Sequence, residues 1–522
     1  MKKIIFLIIT LIVAIISMAY LYFSGLNSKL KNNDSSLYAA TFNSSFVFSF
    51  ENEKSILDIL KSQDLFREMI GQDKFSELES IKGNLLQFPE LNKAIDNQVV
   101  YISLIPGKDK KIDFLYSTQL NAETDKTQLL KSLKARTISI SSKDNLTSVT
   151  LSDSSQFYIG IKDNLVLLSS QSQCISEILK ATFDKNNPFV EFIKSTSRIT
   201  KNSLAELYIN YETLPPLLKS LMPGKLSGEL SPLSQQRAFA SFSYNFSKER
   251  ILLTGLTTAE TSSGYYRTFS DIDAQKITIT NILPDNTANY TTYAINDYLS
   301  WQKSLHEWFK NIKEDKLVSN RIKSYSEKYR IDLNNLIPKY FKNQFITFQL
   351  STSEKIGAVE LTNGDKLNQL LIDLSTDYST DIKTFKDEDL LYAFFGEPMK
   401  KFKRPSYCII DNYLVFANNP STIQSFLNSY KNNRLLIDDI DYSNAVNQLA
   451  NSASLSFYIG MKNSSDIFMK NIYLPYYRHI RDENGLKNYT AFIYQLSGDK
   501  GKFQTNVLID KKTTIDSLTS NP

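Results

Sequence analysis

Only two tryptophans, two cysteines and two histidines occur in a chain of 522 residues, against 32 phenylalanines and 29 tyrosines. Each scarcity closes off a class of chemistry. Histidine is the commonest general base and metal ligand. His306 sits in an amphipathic stretch beside Trp308, and His479 lies in Tyr476-Tyr477-Arg478-His479, so the two fall in different elements. Cys174 and Cys408 supply neither a disulfide framework nor the short-spaced pairs of a zinc ribbon. They read as two independent buried thiols. With only 16 glycines, the chain has no Gly-x-Gly-x-x-Gly turn, no Gly-x-x-x-x-Gly-Lys-Ser/Thr phosphate loop and no Gly-x-Ser-x-Gly elbow.

Charge of one sign is also missing. The 60 basic and 55 acidic residues leave a net charge of +5, spread without a long basic stripe, which argues against nucleic acid as a partner. The densest basic cluster, Lys400-Lys401-Phe402-Lys403-Arg404, reads as a solvated loop ahead of a strand. A composition of 42% hydrophobic and 22% charged residues is that of a folded globular protein. The length favours two domains over one core. The Tyr, Ser, Thr and Asn content suits strands with one wet face.

One long apolar run is present. Lys2 and Lys3 precede Ile4–Phe23, which carries no charge. Roughly 20 apolar residues suffice to span a bilayer, and Tyr20 and Tyr22 suit the interface. The run reads as a signal anchor with its N-terminus in the cytoplasm and the remaining chain outside. The alternative is a signal peptide cleaved near Ser17-Met18-Ala19. No cysteine follows the run, so a lipoprotein is excluded. Ser24–Ser36 reads as a polar tether that also contains a Ser-x-x-Lys match, Ser28-Lys29-Leu30-Lys31.

The strongest internal signal is a self-similarity at an offset near 250 residues. Ile161–Ser170 aligns with Ile409–Asn418, and the alignment continues without a gap into Ile175, Ile178 and Leu179 opposite Ile423, Phe426 and Leu427. Both stretches predict a strand, an Asp-Asn turn, a second strand and a helix. Asn419 is placed to cap the second helix with Pro420 at its first position, and Ser170 or Ser172 to cap the first. The apolar residues then pack on the sheet. Asn97-Gln98-Val99-Val100 recurs as Asn343-Gln344-Phe345-Ile346, and Leu207-Tyr208-Ile209 as Phe457-Tyr458-Ile459. Each copy closes on an expected hairpin. Ala238–Phe246 turns to Ile251–Thr257, and Thr490–Leu496 turns through Ser497-Gly498 to Phe503–Ile509. Each opens on helical material: Tyr298, Trp301, Leu305, Trp308 and Ile312 share a face in the second, and Ile56, Ile59, Leu60 and Phe66 do so in the first. An aromatic stripe of this kind reads as core. Thr261–Gln275, rich in Ser, Gly and Asp, reads as the join.

On the elements Ile161–Leu179 and Ile409–Leu427 the chain resembles the envelope proteins of Bacteroidota that carry a DUF3352-type domain. That resemblance implies an N-terminal membrane segment and an extracytoplasmic α+β region, and it brings no chemistry with it.

Acidic clusters occur at Asp271/Asp273, Asp387-Glu388-Asp389 and Asp438/Asp439/Asp441. None has the alternating oxygens, turn glycine and closing Glu of a calcium loop. Asp163 and Asp411 recur, yet Asp-Asn at a two-residue turn needs no further reason. Asp516-Ser517-Leu518 has the form of a short O-glycan acceptor. No residue set qualifies as a catalytic, cofactor-binding or metal site. The expected architecture is an α+β fold of two tandem copies of one unit, each a mainly antiparallel sheet with helices packed on one face, after a single N-terminal transmembrane helix. The expected segments are an anchor at 1–24, a tether at 25–37, repeat units at 38–262 and 263–512, and a tail at 513–522. The expected role is a non-enzymatic binding or scaffold protein of the bacterial cell envelope, single-pass in the inner membrane with its bulk in the periplasm. Its partners would be the membrane, through the N-terminal helix, and other envelope proteins or an envelope polymer; no cofactor is expected. The alternatives are an accessory subunit of a secretion or outer-membrane assembly complex, and a carboxylate-dependent glycan-active enzyme.

Overall fold

The computed structural model describes residues 34–51, 89–96, 98–107, 112–121, 139–143, 146–150, 156–197, 205–224, 238–245, 250–259 and 264–512, with the single positions 67, 68, 71, 76, 124, 125 and 129. The run Ile4–Phe23, the stripe Ile56/Ile59/Leu60/Phe66, Asn97 and Asp516-Ser517-Leu518 lie outside the described residues. No described helix is long and apolar enough to cross a membrane. The chain is α+β, and its contacts divide it into one unit of residues 1–60 and 75–205 and another of 61–74 and 206–522.

In the first unit a helix at Asp34–Ala40 precedes β1 (Phe46–Glu51), β2 (Val99–Pro106), β3 (Ile112–Gln119), β4 (Ser139–Lys143), β5 (Leu146–Thr150), β6 (Gln156–Lys162) and β7 (Leu165–Ser169). Residues 34–37, tether by composition, already belong to that helix, with Ser36 and Leu37 buried. The strands pair antiparallel in the order β1–β2–β3–β7–β6–β5–β4. Alternation along β7 sends Leu165 and Leu167 to one face, against Ala39, Ile175 and Ile178. Val166 and Leu168 go to the other face, with Val149, Phe157 and Ile159. Burial of the Ile175 and Ile178 side chains contributes about 1.5–3 kcal/mol each, and it depends on Gly160. A Cβ there would lie 2.4 Å from Ile175 Cγ2, so only glycine lets the helix Ser172–Lys180 lie so close on β6.

The β6–β7 turn has Asp163 at φ 51°, as an Asp-Asn turn predicts, while Asn164 stays outside the left-handed region. The helix start differs from expectation. Gln171, not Ser170 or Ser172, holds the cap position and makes no side-chain cap. Ser169 Oγ accepts from Gln171 N at 3.1 Å instead, because Ser169 is already buried at the strand end.

The second unit comprises β8 (Glu206–Asn210), β9 (Phe239–Asn245), β10 (Arg250–Thr258), β11 (Gln275–Lys276), β12 (Thr287–Ala294), β13 (Phe341–Leu350), β14 (Lys355–Leu361), β15 (Ser375–Asp377), β16 (Lys383–Phe385), β17 (Ser406–Ile410), β18 (Tyr413–Ala417), β19 (Ser452–Ala453), β20 (Leu455–Gly460), β21 (Tyr489–Asp499) and β22 (Lys502–Lys511). Its main sheet is antiparallel in the order β8–β9–β10–β22–β21–β20–β12–β13–β14–β18–β17–β16–β15. Strands β11 and β19 form a separate pair. Asp411 and Asn412 both take positive φ, 46° and 63°, at the β17–β18 turn. Asn419 precedes Pro420 at the start of the helix Pro420–Lys431 but makes no side-chain cap, so its expected capping bond is absent. The last hairpin turns at Lys500-Gly501 (φ 49° and 83°), three residues beyond Ser497-Gly498. Gly498 instead lies inside β21, where a Cβ would meet the carbonyl oxygens of Ile272 and Phe269 at 2.4 and 2.5 Å.

Helices on one face of the sheet do not suffice here. Gln344 to Phe348 of β13 are all buried, and five consecutive buried residues need cover on both sides. On one side Ile346 and Phe348 meet Ile423, Phe426 and Leu427. On the other, Phe345 stacks on Tyr293 at 4.6 Å and lies 5.6 Å from Trp301 of the helix Tyr298–Asn311. The predicted aromatic stripe is core: Tyr298, Trp301, Leu305 and Trp308 are buried, with Phe309 beside them, while Ile312 falls just past the helix end. The stretch expected to be a plain join contributes to the same core. Tyr265–Phe269 forms a 3-10 turn whose Tyr265, Tyr266 and Phe269 are buried. Phe269 lies 5.5 Å from Trp301, and Tyr265 lies 5.2 Å from Trp308 and donates to Phe395 O at 2.5 Å.

Candidate functional site

The recurring polar residues are occupied by the fold. Asn412 O accepts from Leu361 N at 2.7 Å, and its Oδ1 accepts from Gly364 N at 2.7 Å. Asp411 accepts from Tyr430 Oη at 3.1 Å. In the first unit Asn164 O accepts from Leu120 N at 2.8 Å. These groups hold a turn against the neighbouring strand end.

The cluster Asp387-Glu388-Asp389 is neutralised one residue at a time. Asp387 takes Lys328 at 2.8 Å and the Tyr329 hydroxyl, Glu388 pairs with Arg404 at 3.4 Å, and Asp389 with Arg321 at 3.1 Å. Burial pushes the Asp387 carboxyl upward, but the bonds from Lys328 and Tyr329 outweigh it and hold the carboxyl below its ordinary value. Asp439 caps the helix Ile440–Val446 through Tyr442 N at 3.0 Å. Among the described residues no three His, Cys, Asp or Glu side chains come together as a metal site. His306 is exposed on its helix, and His479 is half-buried against Gly71 and Gly485. The basic cluster is not wholly solvated. Phe402 is buried, and Lys400 lies 3.6 Å from Glu314 and 3.9 Å from Glu397. Both cysteines are unbridged, Cys408 buried and Cys174 half-buried. Burial, joined by nearby acids, pushes each thiol up to about 12, which leaves them inert at neutral pH.

Two surface features remain. A cleft of about 260 Å³ lies between the Gly264–Asp271 stretch and the helix Tyr298–Asn311. Its charged lining is Arg267, Asp271, Lys303 and Glu307, two of each sign, and it falls below the size of an ordinary ligand pocket. The other is a pair of short helices, Ser465–Asn471 and Leu474–Arg481, in the link from β20 to β21. Neither contains a buried residue. Arg481 donates to Ser465 Oγ at 2.9 Å across the pair, and Tyr473 N donates to Leu221 O at 2.9 Å in the helix Leu214–Leu221 of the β8–β9 link.

The strand–turn–strand–helix element at Ser406–Lys431 lies in the segment of the chain that a family model matches. Residues 349–472 match the family model for a protein of unknown function, DUF3352. No curated protein and no solved structure matches the chain. The DUF3352 segment runs from the end of β13 through the helix Ser465–Asn471, under a quarter of the chain. It contains the Asp411-Asn412 turn and the packed stripe Ile423/Phe426/Leu427. It also holds most of the large apolar side chains exposed among the described residues: Ile372, Tyr378, Ile437, Ile440 and Met469. The sequence reading placed no weight on these residues or on the helix pair. The available signal was Lys470, Arg478 and Arg481 set among apolar and tyrosine residues from Ile467 to Arg481.

Proposed function

We propose that this chain is a membrane-anchored, extracytoplasmic binding or scaffold protein of the bacterial cell envelope, built from two copies of one unit and working without catalysis. The observation that carries the reading is one pairing order met twice. β1–β2–β3–β7–β6–β5–β4 has the same connectivity as β12–β13–β14–β18–β17–β16–β15. The correspondence extends to single bonds. Leu120 N to Asn164 O matches Leu361 N to Asn412 O, and Asn121 N to Ala94 O matches Thr362 N to Tyr340 O. Positions that recur in this way serve turns and packing, so their recurrence is accounted for by folding alone. The apolar run Ile4–Phe23 supports an anchor and export of the rest.

Recognition then falls to the surface. Ile437 and Ile440 stand 44% and 75% exposed, three residues apart, within the segment that the family model matches, which makes them the positions at which to test for a partner. Photo-crosslinking residues placed at 437 and 440 in intact cells are expected to trap a discrete adduct that the same residue at 299 does not. Crosslinking no stronger at 437 and 440 than at 299 would remove the binding reading. A C-terminal reporter active in the cytosol would remove the compartment.

A further inference from the structure

We infer that the helix pair Ser465–Asn471 and Leu474–Arg481 is a lipid-facing foot that rests on the headgroups of an anionic phospholipid bilayer. A helix in a globular domain ordinarily buries a stripe of its surface, and this pair buries none of its residues. Its two large exposed apolar side chains, Met469 (53%) and Leu474 (56%), flank the link between the helices. Lys470, Arg478 and Arg481 are exposed around them, and Asp466 is the one acid of either helix. Leu474, Arg478 and Arg481 fall at i, i+4 and i+7, so they share one helical face. Tyr473, Tyr476 and Tyr477 are half-buried in the same pair, and amphipathic rings of this kind are enriched at the level of headgroups.

Apolar tips ringed by cations match the chemistry of an interfacial helix, and the charge is complementary to an anionic leaflet. Three cations stand against one acid within the helices, exposed Asp482 follows Arg481, and Glu483 pairs with Lys487 at 2.6 Å, so a positive excess remains in a chain nearly balanced overall at 60 basic and 55 acidic residues. The helix Leu214–Leu221, joined through Tyr473 N, adds the exposed Lys219 beside it. The foot does not depend on the N-terminal anchor. It would fix how the sheet is turned toward a bilayer that an anchor only holds nearby.

The test uses the full chain in liposomes, with Cys174→Ser and Cys408→Ala removing the native thiols. An environment-sensitive dye is attached at Met469→Cys, Leu474→Cys or, as reference, Tyr378→Cys, which is 63% exposed in the same unit. In vesicles containing phosphatidylglycerol and brominated lipid, dye at 469 and 474 is expected to be quenched while dye at 378 is not. Each cation near such a surface changes the docked-to-free ratio by about five-fold, so Arg478→Gln with Arg481→Gln should lower it about 25-fold. Tryptophan emission, unchanged, shows that the variants are folded. Equal quenching at 469, 474 and 378 overturns the inference, as would be found for a foot that meets an acidic protein instead. Flotation with purely neutral vesicles scores the anchor separately. A chain that fails to float there refutes the anchor, while quenching in anionic vesicles still decides the foot.

Discussion

The strongest demand the structure makes on the chain is that Phe269 be core, although it sits in a stretch of Ser, Gly and Asp. Its side chain is fully buried, with ring centres of Trp301, Tyr265 and Tyr293 at 5.5, 5.7 and 5.8 Å. Phe269→Ala removes the ring and leaves a cavity that its four aromatic neighbours, Tyr265, Tyr293, Trp301 and Phe345, cannot collapse into. Such a change destabilises by about 3–5 kcal/mol. Both tryptophans of the chain, Trp301 and Trp308, lie in the second unit beside this site, so tryptophan fluorescence follows that unit without interference from the other. With a urea dependence of about 3 kcal/mol per molar for a unit of this size, the midpoint should fall by about 1–1.7 M. Tyr378→Ala, at an exposed position, should stay within about 0.5 kcal/mol of the parent. A Phe269→Ala midpoint within about 0.3 M of the parent, with native emission otherwise retained, would refute the placement of this turn in the core.

Gly160→Val should push the helix Ser172–Lys180 off β6 and destabilise the first unit by about 1–3 kcal/mol. Faster modification of the Cys174 thiol with Cys408 unchanged reports it, and Ile175→Ala should partly restore protection. Asn412→Ala loses both the tolerance of positive φ and the bond to Gly364, costing about 2 kcal/mol, whereas Asn412→Gly keeps the backbone and should lose about half of that. Urea midpoints by tryptophan emission separate the two. Glu397 is raised above its ordinary value, first by burial and then by Glu314, against the pull of Lys400. A carboxyl raised in this way contributes stability below the unfolded pKa and loses it as pH rises through the folded one. Glu397→Gln should therefore stabilise the second unit at neutral pH and lose its advantage below about pH 4, measured as midpoint against pH.

The elements that could be read from the sequence were those where one residue type answers one local need. Asp411-Asn412 announces a left-handed turn, and Ile423, Phe426 and Leu427 announce a packed helix face whatever surrounds them. What could not be read depended on distant partners. Tyr265 and Phe269 lie among residues of loop composition, and only the approach of Trp301 and Trp308 makes them core. Ser497-Gly498 and Lys500-Gly501 are equally good turns by composition. The first is kept in the strand because Ile272 and Phe269 bring their carbonyls against Gly498. The helix pair at 465–481 resembles any amphipathic stretch until its lack of buried side chains is seen, and burial is a property of the assembled fold.

The ladder between β10 and β22 is symmetric about its own centre, with Arg250 opposite Asp510, Thr254 opposite Asn506 and Thr258 opposite Lys502. The seam joins two strands of different sequence, and each covers the row of backbone donors and acceptors that the other would leave open. Residues 263–512 made alone would present β22 as an open edge and should dimerise through it, at a rate set by protein concentration. Carrying β10 on the same polypeptide keeps that edge covered at an effective concentration that a separate chain would not reach.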